Sequence, residues 1–334
     1  MEKTKSKKEL IDGYKRKINY LRISVTDRCN LKCIYCLPPE GISYIPREEI
    51  LTFEEILQIS NVAASLGISK IRLTGGEVFV RKGIIKLISS LNKIKGIKDI
   101  SLTTNGTLLF EYLQELKEIG IKRLNISLDS LDKNCYQRLT GKNELNNILK
   151  SLFKAVKLGF KIKINTVIIN GINEAEIPEF IQFSLENPIE VRFIEFMPLC
   201  GQGWKKDYFL SSKEIKQRIK EKYKLTPLSF KGVARQYLVS NGNGSKGIIG
   251  LITPISNSFC SHCCRLRLSV GGKLRPCLFS SHKVNLLPIL KGNYQDSEKR
   301  RIIEEAFHQA VVLKPGHSLI DQRSRQVYIR SVGG

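Results

Sequence analysis

No stretch of this sequence approaches the ~18 uninterrupted apolar residues of a membrane-spanning helix, and residues 1–17, MEKTKSKKELIDGYKRK, carry charge but no apolar run of the kind an export signal needs. A cytoplasmic protein with no membrane partner is expected. Acidic residues are also scarce, 31 Asp and Glu against 55 Lys and Arg, which leaves a net charge of +24. That balance favours an anionic partner such as nucleic acid, a membrane surface or a polyphosphate, without choosing among them. The basic residues are spread out, with no block of five or more, so a lysine-rich solvated surface is the plainer account. No aromatic-rich RNA-recognition motif is present, and nucleic acid is not expected as a partner.

What is present is enough apolar material for a large core: 334 residues with 42% hydrophobic content. Nine cysteines stand at 29, 33, 36, 135, 200, 260, 263, 264 and 277. Their odd number and tight clustering point to metal ligation rather than a disulfide framework.

Up to residue 197 the chain repeats one theme, a β-branched run followed by a segment of helical period. The runs are 20–26 (YLRISVT), 70–74 (KIRLT), 99–104 (DISLTT), 123–129 (RLNISLD), 161–169 (KIKINTVII) and 190–197 (EVRFIEFM). Helices are expected over 52–66, 108–119, 144–158 and 174–185, the first opened by a Thr52/Glu55 capping box. Strands alternating with helices imply right-handed crossovers and a parallel sheet. Six units are too few to close an eight-stranded barrel, so the expected fold is α/β, a partial (βα)6 TIM-type barrel whose functional face is the C-terminal ends of the strands. After Met197 the pattern changes: a loop with Gly201 and Gly203, a helix with a Ser211/Glu214 capping box, then short strands at 235–240, 247–253 and 265–270. A division into residues 1–200 and 201–334 is expected, the boundary falling softly near 198–210. The second part would be an α+β region closing the open side of the barrel.

Cys29, Cys33 and Cys36 form a C-x3-C-x2-C loop directly after the first strand. Three thiolates on one loop can hold three irons of a cubane and leave the fourth open for a chelating ligand. A structural zinc loop or incidental buried thiols are the plainer accounts, although zinc normally takes a fourth Cys or His close by. With the aromatic Tyr35 before Cys36, and Gly75-Gly76-Glu77 after the second strand, this pattern resembles the radical S-adenosylmethionine superfamily. The resemblance implies that the open iron of a 4Fe-4S cluster binds S-adenosylmethionine, with Tyr35 beside the adenine. Val78 stands where the superfamily usually has proline, which predicts a less rigid turn.

Cys260, Cys263 and Cys277 give a second three-cysteine set, C-x2-C-x13-C, with His262 and Cys264 as adjacent candidates for a fourth ligand. A zinc ribbon and a second open-site cluster are the alternatives, and adjacent cysteines rarely both reach one ion. Residues 259–278, FCSHCCRLRLSVGGKLRPCL, are similar to the C-terminal signature of the GTP 3′,8-cyclase family of molybdenum cofactor biosynthesis. So are LRISVTDRC (21–29), IRLTGGE (71–77), TTNG (103–106), NISLD (125–129), RFIEFMP (192–198) and the terminal Gly333-Gly334. Cys264 departs from the asparagine usual in that family.

This second resemblance implies two 4Fe-4S clusters, on Cys29, Cys33 and Cys36 and on Cys260, Cys263 and Cys277. It implies that S-adenosylmethionine is reductively cleaved to a 5′-deoxyadenosyl radical that abstracts the 3′ hydrogen of GTP. The sugar radical then attacks C8, giving (8S)-3′,8-cyclo-7,8-dihydroguanosine 5′-triphosphate. Carried over motif by motif, Tyr35, Gly76, Ser127 and Met197 are the cofactor contacts. Arg22, Arg72, Thr103, Lys163, Arg265, Leu266 and Arg267 form the GTP set, with Arg192 as a further candidate. Catalytic roles fall to Arg265, Arg267, Gly333 and Gly334, the glycine tail threading into the site where side chains would not pass. A flavodoxin or ferredoxin as electron donor and cyclic pyranopterin monophosphate synthase as the next enzyme are implied as partners, and a homodimer is left open.

Two other readings fit parts of the pattern. A radical enzyme acting on peptides would usually carry more C-terminal cysteines and would lack the Arg265/Arg267 pair. A zinc-stabilised RNA-binding protein would account for the charge but not for Gly75-Gly76-Glu77.

Overall fold

The alternating runs fold as six consecutive strand–helix units in the computed structural model, which describes residues 9–37, 41–198, 205–228, 232–318 and 329–332. In chain order these are β1 (Tyr20–Ser24), α1 (Phe53–Ser65), β2 (Lys70–Thr74), α2 (Ile84–Asn92), β3 (Asp99–Thr104), α3 (Leu109–Glu118), β4 (Arg123–Ser127), α4 (Lys133–Thr140), α5 (Leu145–Lys157), β5 (Lys161–Ile168), α6 (Ile177–Glu186) and β6 (Ile189–Glu195). The expected capping box opens α1: Thr52 Oγ1 accepts the Glu55 N–H at 3.2 Å and Glu55 Oε2 accepts the Thr52 N–H at 2.7 Å. Strands β1, β4 and β6 end about two residues before the sequence pattern does. Side chains take over the pairing at two of those ends: Thr26 Oγ1 accepts the Arg28 N–H at 3.1 Å, and Asp129 Oδ1 accepts the N–H of Val167 on β5 at 2.8 Å. Helices α2 and α4 were not expected from the periodicity, and the segment expected from 174 opens with a 3-10 turn, Glu174–Glu176, before α6 begins.

The remaining elements are α7 (Ser212–Lys220), with its Ser211/Glu214 capping box, β7 (Lys224–Pro227), β8 (Ala234–Ser240), β9 (Lys246–Ile252), β10 (Arg265–Leu268), β11 (Lys273–Arg275), β12 (Val284–Asn285), α8 (Leu287–Lys291), α9 (Asp296–Val312) and a last turn, α10 (Ile329–Val332). Among the described residues the twelve strands join one open sheet in the order β12-β11-β10-β1-β2-β3-β4-β5-β6-β9-β8-β7. The six central strands are parallel, and β10 and β9 continue the parallel pairing beyond β1 and β6. The C-terminal region therefore meets the open side of the partial barrel by lengthening both of its edges. This brings β10, with its two arginines, alongside β1.

Period-two alternation decides what each strand buries. On β1, Leu21 and Ile23 are fully buried in the main core with Ile71 and Leu73 of β2 and Leu266 and Leu268 of β10, while Arg22 between them faces the other way. Each such aliphatic side chain contributes about 1.5–3 kcal/mol on burial. That holds the strand register, and the register in turn fixes the polar row on the opposite face.

Candidate active site

That polar row lines a cavity of about 250 Å³. Arg267, Arg22 and Arg72 are register partners on β10, β1 and β2, while Ser127, Asn165 and Arg192 are register partners on β4, β5 and β6. Thr103 on β3 completes the wall, so each strand from β10 round to β6 contributes at least one inward polar side chain. Arg265 and Arg267 both face the cavity, as alternate residues of one strand should. Thr103 Oγ1 and Asn165 Oδ1 are buried without a hydrogen-bond partner among the described residues, a state that a ligand would resolve.

Electrostatics give this wall a direction. Burial, then the charges of Arg267 and Arg72, pull the Arg22 guanidinium well below its ordinary pKa. Burial also lowers Arg72, and burial with the charge of Arg265 brings Arg267 down to about 10. Guanidinium groups crowded out of water in this way are stabilised by a multiply charged anion, and their planar forks suit phosphate oxygens. Arg192 differs, since its Nε donates to Glu190 Oε1 at 2.6 Å.

The first cysteine loop is set by close backbone approach. A Cβ on Gly75 would lie 2.3 Å from the Thr26 carbonyl oxygen, and one on Gly76 would lie 2.1 Å from that of Arg28. Only paired glycines let β2's loop dock this tightly, with the Gly76 N–H donating to Thr26 O at 2.7 Å and the Glu77 N–H to Arg28 O at 2.9 Å. Cys29 follows at once. The far side of the loop pairs with the end of α4 through Lys32 N–H to Thr140 O at 2.8 Å and Ile34 N–H to Leu139 O at 3.0 Å. Donors point at the sulfurs: the Leu31 N–H at 3.5 Å and Asn105 Nδ2 at 3.7 Å reach Cys29 Sγ, and Arg330 Nε reaches Cys36 Sγ at 3.2 Å. Three thiols on one loop with N–H groups aimed at them fit an iron–sulfur cluster, whose sulfurs are tuned by such bonds.

Glu77 ties two strand-end loops together. Its carboxylate is fully buried and accepts from Thr104 Oγ1 at 2.7 Å, the Asn105 N–H at 2.6 Å and the Phe79 N–H at 3.2 Å. The side chain locks the β2 loop to the β3 loop, leaving the motif's backbone groups to meet a ligand. Val78 itself is fully buried and opens the 3-10 turn Val78–Val80. Burial raises the carboxyl to about 7 against the opposing pull of its donors.

Cys260, Cys263 and Cys277 all line the cavity, with Phe259 stacked under the Arg265 guanidinium, 4.9 Å from the ring centre. Burial would push the Cys263 thiol up, but the charges of Arg265 and Lys314 outweigh it and bring the thiol down to about 6. A thiol held as thiolate between two cations is a metal-ready ligand. Tyr35, on the first cysteine loop, lines the cavity and donates its hydroxyl to Asp129 Oδ2; burial raises Asp129 to about 6, against the pull of that bond.

Arg22, Tyr35, Arg72, Thr103, Ser127, Met197, Arg265 and Arg267 thus share one cavity, together with Arg192. Two expected GTP contacts do not place their side chains on it. Lys163 is paired across strands with Glu190 at 2.8 Å, its register partner on β6, and Leu266 points into the core between its cavity-facing arginine neighbours. Gly76 sits behind the cysteine loop rather than on the cavity wall. Gly333 and Gly334, like Cys200, Gly201 and Gly203, lie outside the described residues. Asp129, Asn165, Asn105, Lys314 and Arg330 were not singled out from the sequence. Asn165 had a signal, as a polar residue two positions from Lys163 on a strand, whereas Lys314 and Arg330 arrive from the far end of the chain.

A partial parallel barrel with a three-cysteine loop after its first strand defines the class. Residues 23–184 match the Radical SAM superfamily, and residues 189–319 match the Molybdenum Cofactor Synthesis C family. The chain belongs to the GTP 3′,8-cyclase family. It is 44% identical to a protein of that name from Thermodesulfovibrio yellowstonii over 309 residues, covering 91% of this chain and 94% of the relative. It is 42% identical to one from Alkaliphilus metalliredigens, covering 96% and 98%. Among solved structures, Streptococcus suis SuiB bound to S-adenosylmethionine superposes with a TM-score of 0.60 at 16% identity, covering 92% of this chain and 79% of that one, a likeness of fold. Among the described residues no helix is long and apolar enough to cross a membrane.

Proposed function

We propose that this chain catalyses the conversion of GTP to (8S)-3′,8-cyclo-7,8-dihydroguanosine 5′-triphosphate, the first step of molybdenum cofactor biosynthesis. The observation that carries the reading is the row of register-paired arginines, Arg267, Arg22 and Arg72, which faces a cavity bounded by Tyr35 at one cysteine set and by Cys260, Cys263 and Cys277 at the other. When bound, S-adenosylmethionine and the 4Fe-4S cluster on Cys29, Cys33 and Cys36 supply the 5′-deoxyadenosyl radical that takes the 3′ hydrogen of GTP, and one further electron and proton complete the cyclised product.

The protein's own share is placement. Arg22, Arg72, Arg265 and Arg267 hold the triphosphate and neutralise it. Thr103 Oγ1 and Asn165 Oδ1 offer hydrogen bonds to the ribose and adenosyl groups between them. Ser127, Met197 and the backbone of Gly76 serve the cofactor side, and Met197 with the neighbouring Leu278 and Phe279 forms an apolar flank that keeps water from the reacting sugar. Cys260, Cys263 and Cys277 would hold the second cluster, whose open iron would supply a binding point for the guanine. The family resemblance assigns a catalytic role to Gly333 and Gly334, which lie outside the described residues.

The electron comes from a flavodoxin or ferredoxin in the cytoplasm and the product passes to cyclic pyranopterin monophosphate synthase; a homodimer is compatible with this reading. Anaerobic reconstitution followed by incubation with GTP, S-adenosylmethionine and a reductant tests it. Equal amounts of 5′-deoxyadenosine and cyclised nucleotide are expected; 5′-deoxyadenosine formed with a peptide but not with GTP would overturn it.

A further inference from the structure

Behind the second cysteine set lies a pair of buried cations that the cavity does not use. Lys314, just beyond α9, is 4% exposed. Its ammonium donates to Arg265 O at 2.7 Å, to Pro276 O at 2.9 Å and to Cys263 Sγ at 3.4 Å. Arg16, before β1, is 8% exposed. Its Nη1 donates to the carbonyl of Cys260 and its Nη2 to the carbonyl of Pro315 at 2.7 Å, next door to Lys314. Each cysteine of the set is thereby reached: Cys260 at its carbonyl, Cys263 at its sulfur, and Cys277 through the preceding residue.

The brace is itself built locally. Asp12 opens a tight turn, its carbonyl accepting the Lys15 N–H at 3.0 Å. Asp12 Oδ1 takes the N–H groups of Tyr14 and Arg16, both at 3.0 Å, and Oδ2 takes Arg16 Nε at 2.6 Å. Arg16 therefore has its buried counter-ion. Lys314 has no carboxylate: among the described residues its hydrogen-bond partners are two carbonyls and Cys263 Sγ, so the anion it faces is the cysteine set itself. A buried ammonium without a carboxylate costs several kcal/mol of desolvation unless another anion faces it. An iron–sulfur cluster held by three thiolates is such an anion.

We propose that Lys314 and Arg16 are positioning residues of the second cluster. They hold Cys260, Cys263 and the Pro276-Cys277 segment at the separation that receives a cluster, and Lys314 offsets the cluster's charge. The inference rests on the reading of these three cysteines as cluster ligands.

The test uses the full chain, reconstituted anaerobically, as wild type and as the variants Lys314→Met, Lys314→Arg and Arg16→Gln. The readouts are iron per chain and the electron paramagnetic resonance spectrum of the reduced protein with and without S-adenosylmethionine. Wild type should hold about eight irons, two cubanes. Lys314→Met and Arg16→Gln should fall towards about four while keeping the S-adenosylmethionine-responsive signal of the first cluster, which shows that the barrel is folded, and Lys314→Arg should recover the second signal. Lys314→Met with about eight irons and an unchanged spectrum would overturn the inference, as would loss of both clusters in either variant, since the residue would then support the whole fold. A wild type that takes only about four irons would instead remove the second cluster itself, and the inference with it.

Discussion

Arg330 Nε donates to Cys36 Sγ at 3.2 Å, so the last helical turn of the chain touches the first cysteine loop. The same guanidinium donates from Nη2 to Leu31 O at 2.7 Å, and the turn is anchored by Ser24 Oγ on Arg330 O at 2.8 Å and the Val270 N–H on Ser331 O at 3.0 Å. A cationic N–H donor at a ligating sulfur stabilises the more negative, reduced cluster. Arg330→Gln should therefore shift the first cluster's midpoint potential to more negative values, as measured by a spectroscopic redox titration, and slow radical formation with it. An unchanged potential would mean that the guanidinium leaves the sulfur once iron is bound.

Gly76→Ala tests the close approach that seats the first loop. The new Cβ would fall 2.1 Å from the Arg28 carbonyl oxygen, a backbone atom that cannot step aside without moving Cys29. Reconstituted Gly76→Ala should lose the S-adenosylmethionine-responsive cluster and keep the second. A variant that binds both clusters and S-adenosylmethionine as wild type does would show the loop to be far more pliant than its packing implies.

For the arginine row the telling substitution is conservative. Arg267→Lys keeps the charge but removes the planar fork, and a hydrogen bond to a charged group contributes about 1.5–3 kcal/mol. KM for GTP should rise about tenfold or more, with 5′-deoxyadenosine formation in the absence of GTP untouched. A change in kcat alone would move Arg267 from phosphate binding to the chemical step.

Glu77 gives a pH signature. Burial raises its carboxyl from the ordinary value near 4.5 to about 7, so the folded chain holds that proton more tightly than the unfolded chain. The stability this proton contributes is complete below about pH 4.5 and is lost as pH rises to about 7. Relative to Glu77→Gln, which cannot ionise, wild type should lose stability across that window, by at most about 3 kcal/mol, and run parallel above it. Urea unfolding of both variants from pH 4.5 to 8 measures the difference. A constant offset would place the Glu77 titration outside the window.

How much of this was legible in the sequence depends on the reach of each contact. Strand alternation put Arg265 and Arg267 on one face, and motif order put Arg22 and Arg72 on neighbouring strands. The single register row they share follows from sheet pairing, which period alone does not show. The Lys163 ion pair was illegible because its partner Glu190 lies on the next strand, where only the register reveals that the two stand opposite. Arg330 and Arg16 were illegible for a simpler reason: their partners Cys36 and Cys260 are 294 and 244 residues away along the chain. The Gly75-Gly76 pair was read as a cofactor motif. Its structural demand, two backbones in contact, became visible only where a Cβ would collide with Thr26 and Arg28.

The central claim is that the radical made at Cys29, Cys33 and Cys36 acts on the GTP sugar held by Arg22, Arg72, Arg265 and Arg267. Incubating the anaerobically reconstituted protein with S-adenosylmethionine, reductant and GTP carrying deuterium at C3′ tests it most directly, by mass spectrometry of the 5′-deoxyadenosine released. The account predicts deuterium in that product and a cyclised nucleotide that has lost it. Unlabelled 5′-deoxyadenosine beside intact, fully deuterated GTP would contradict it.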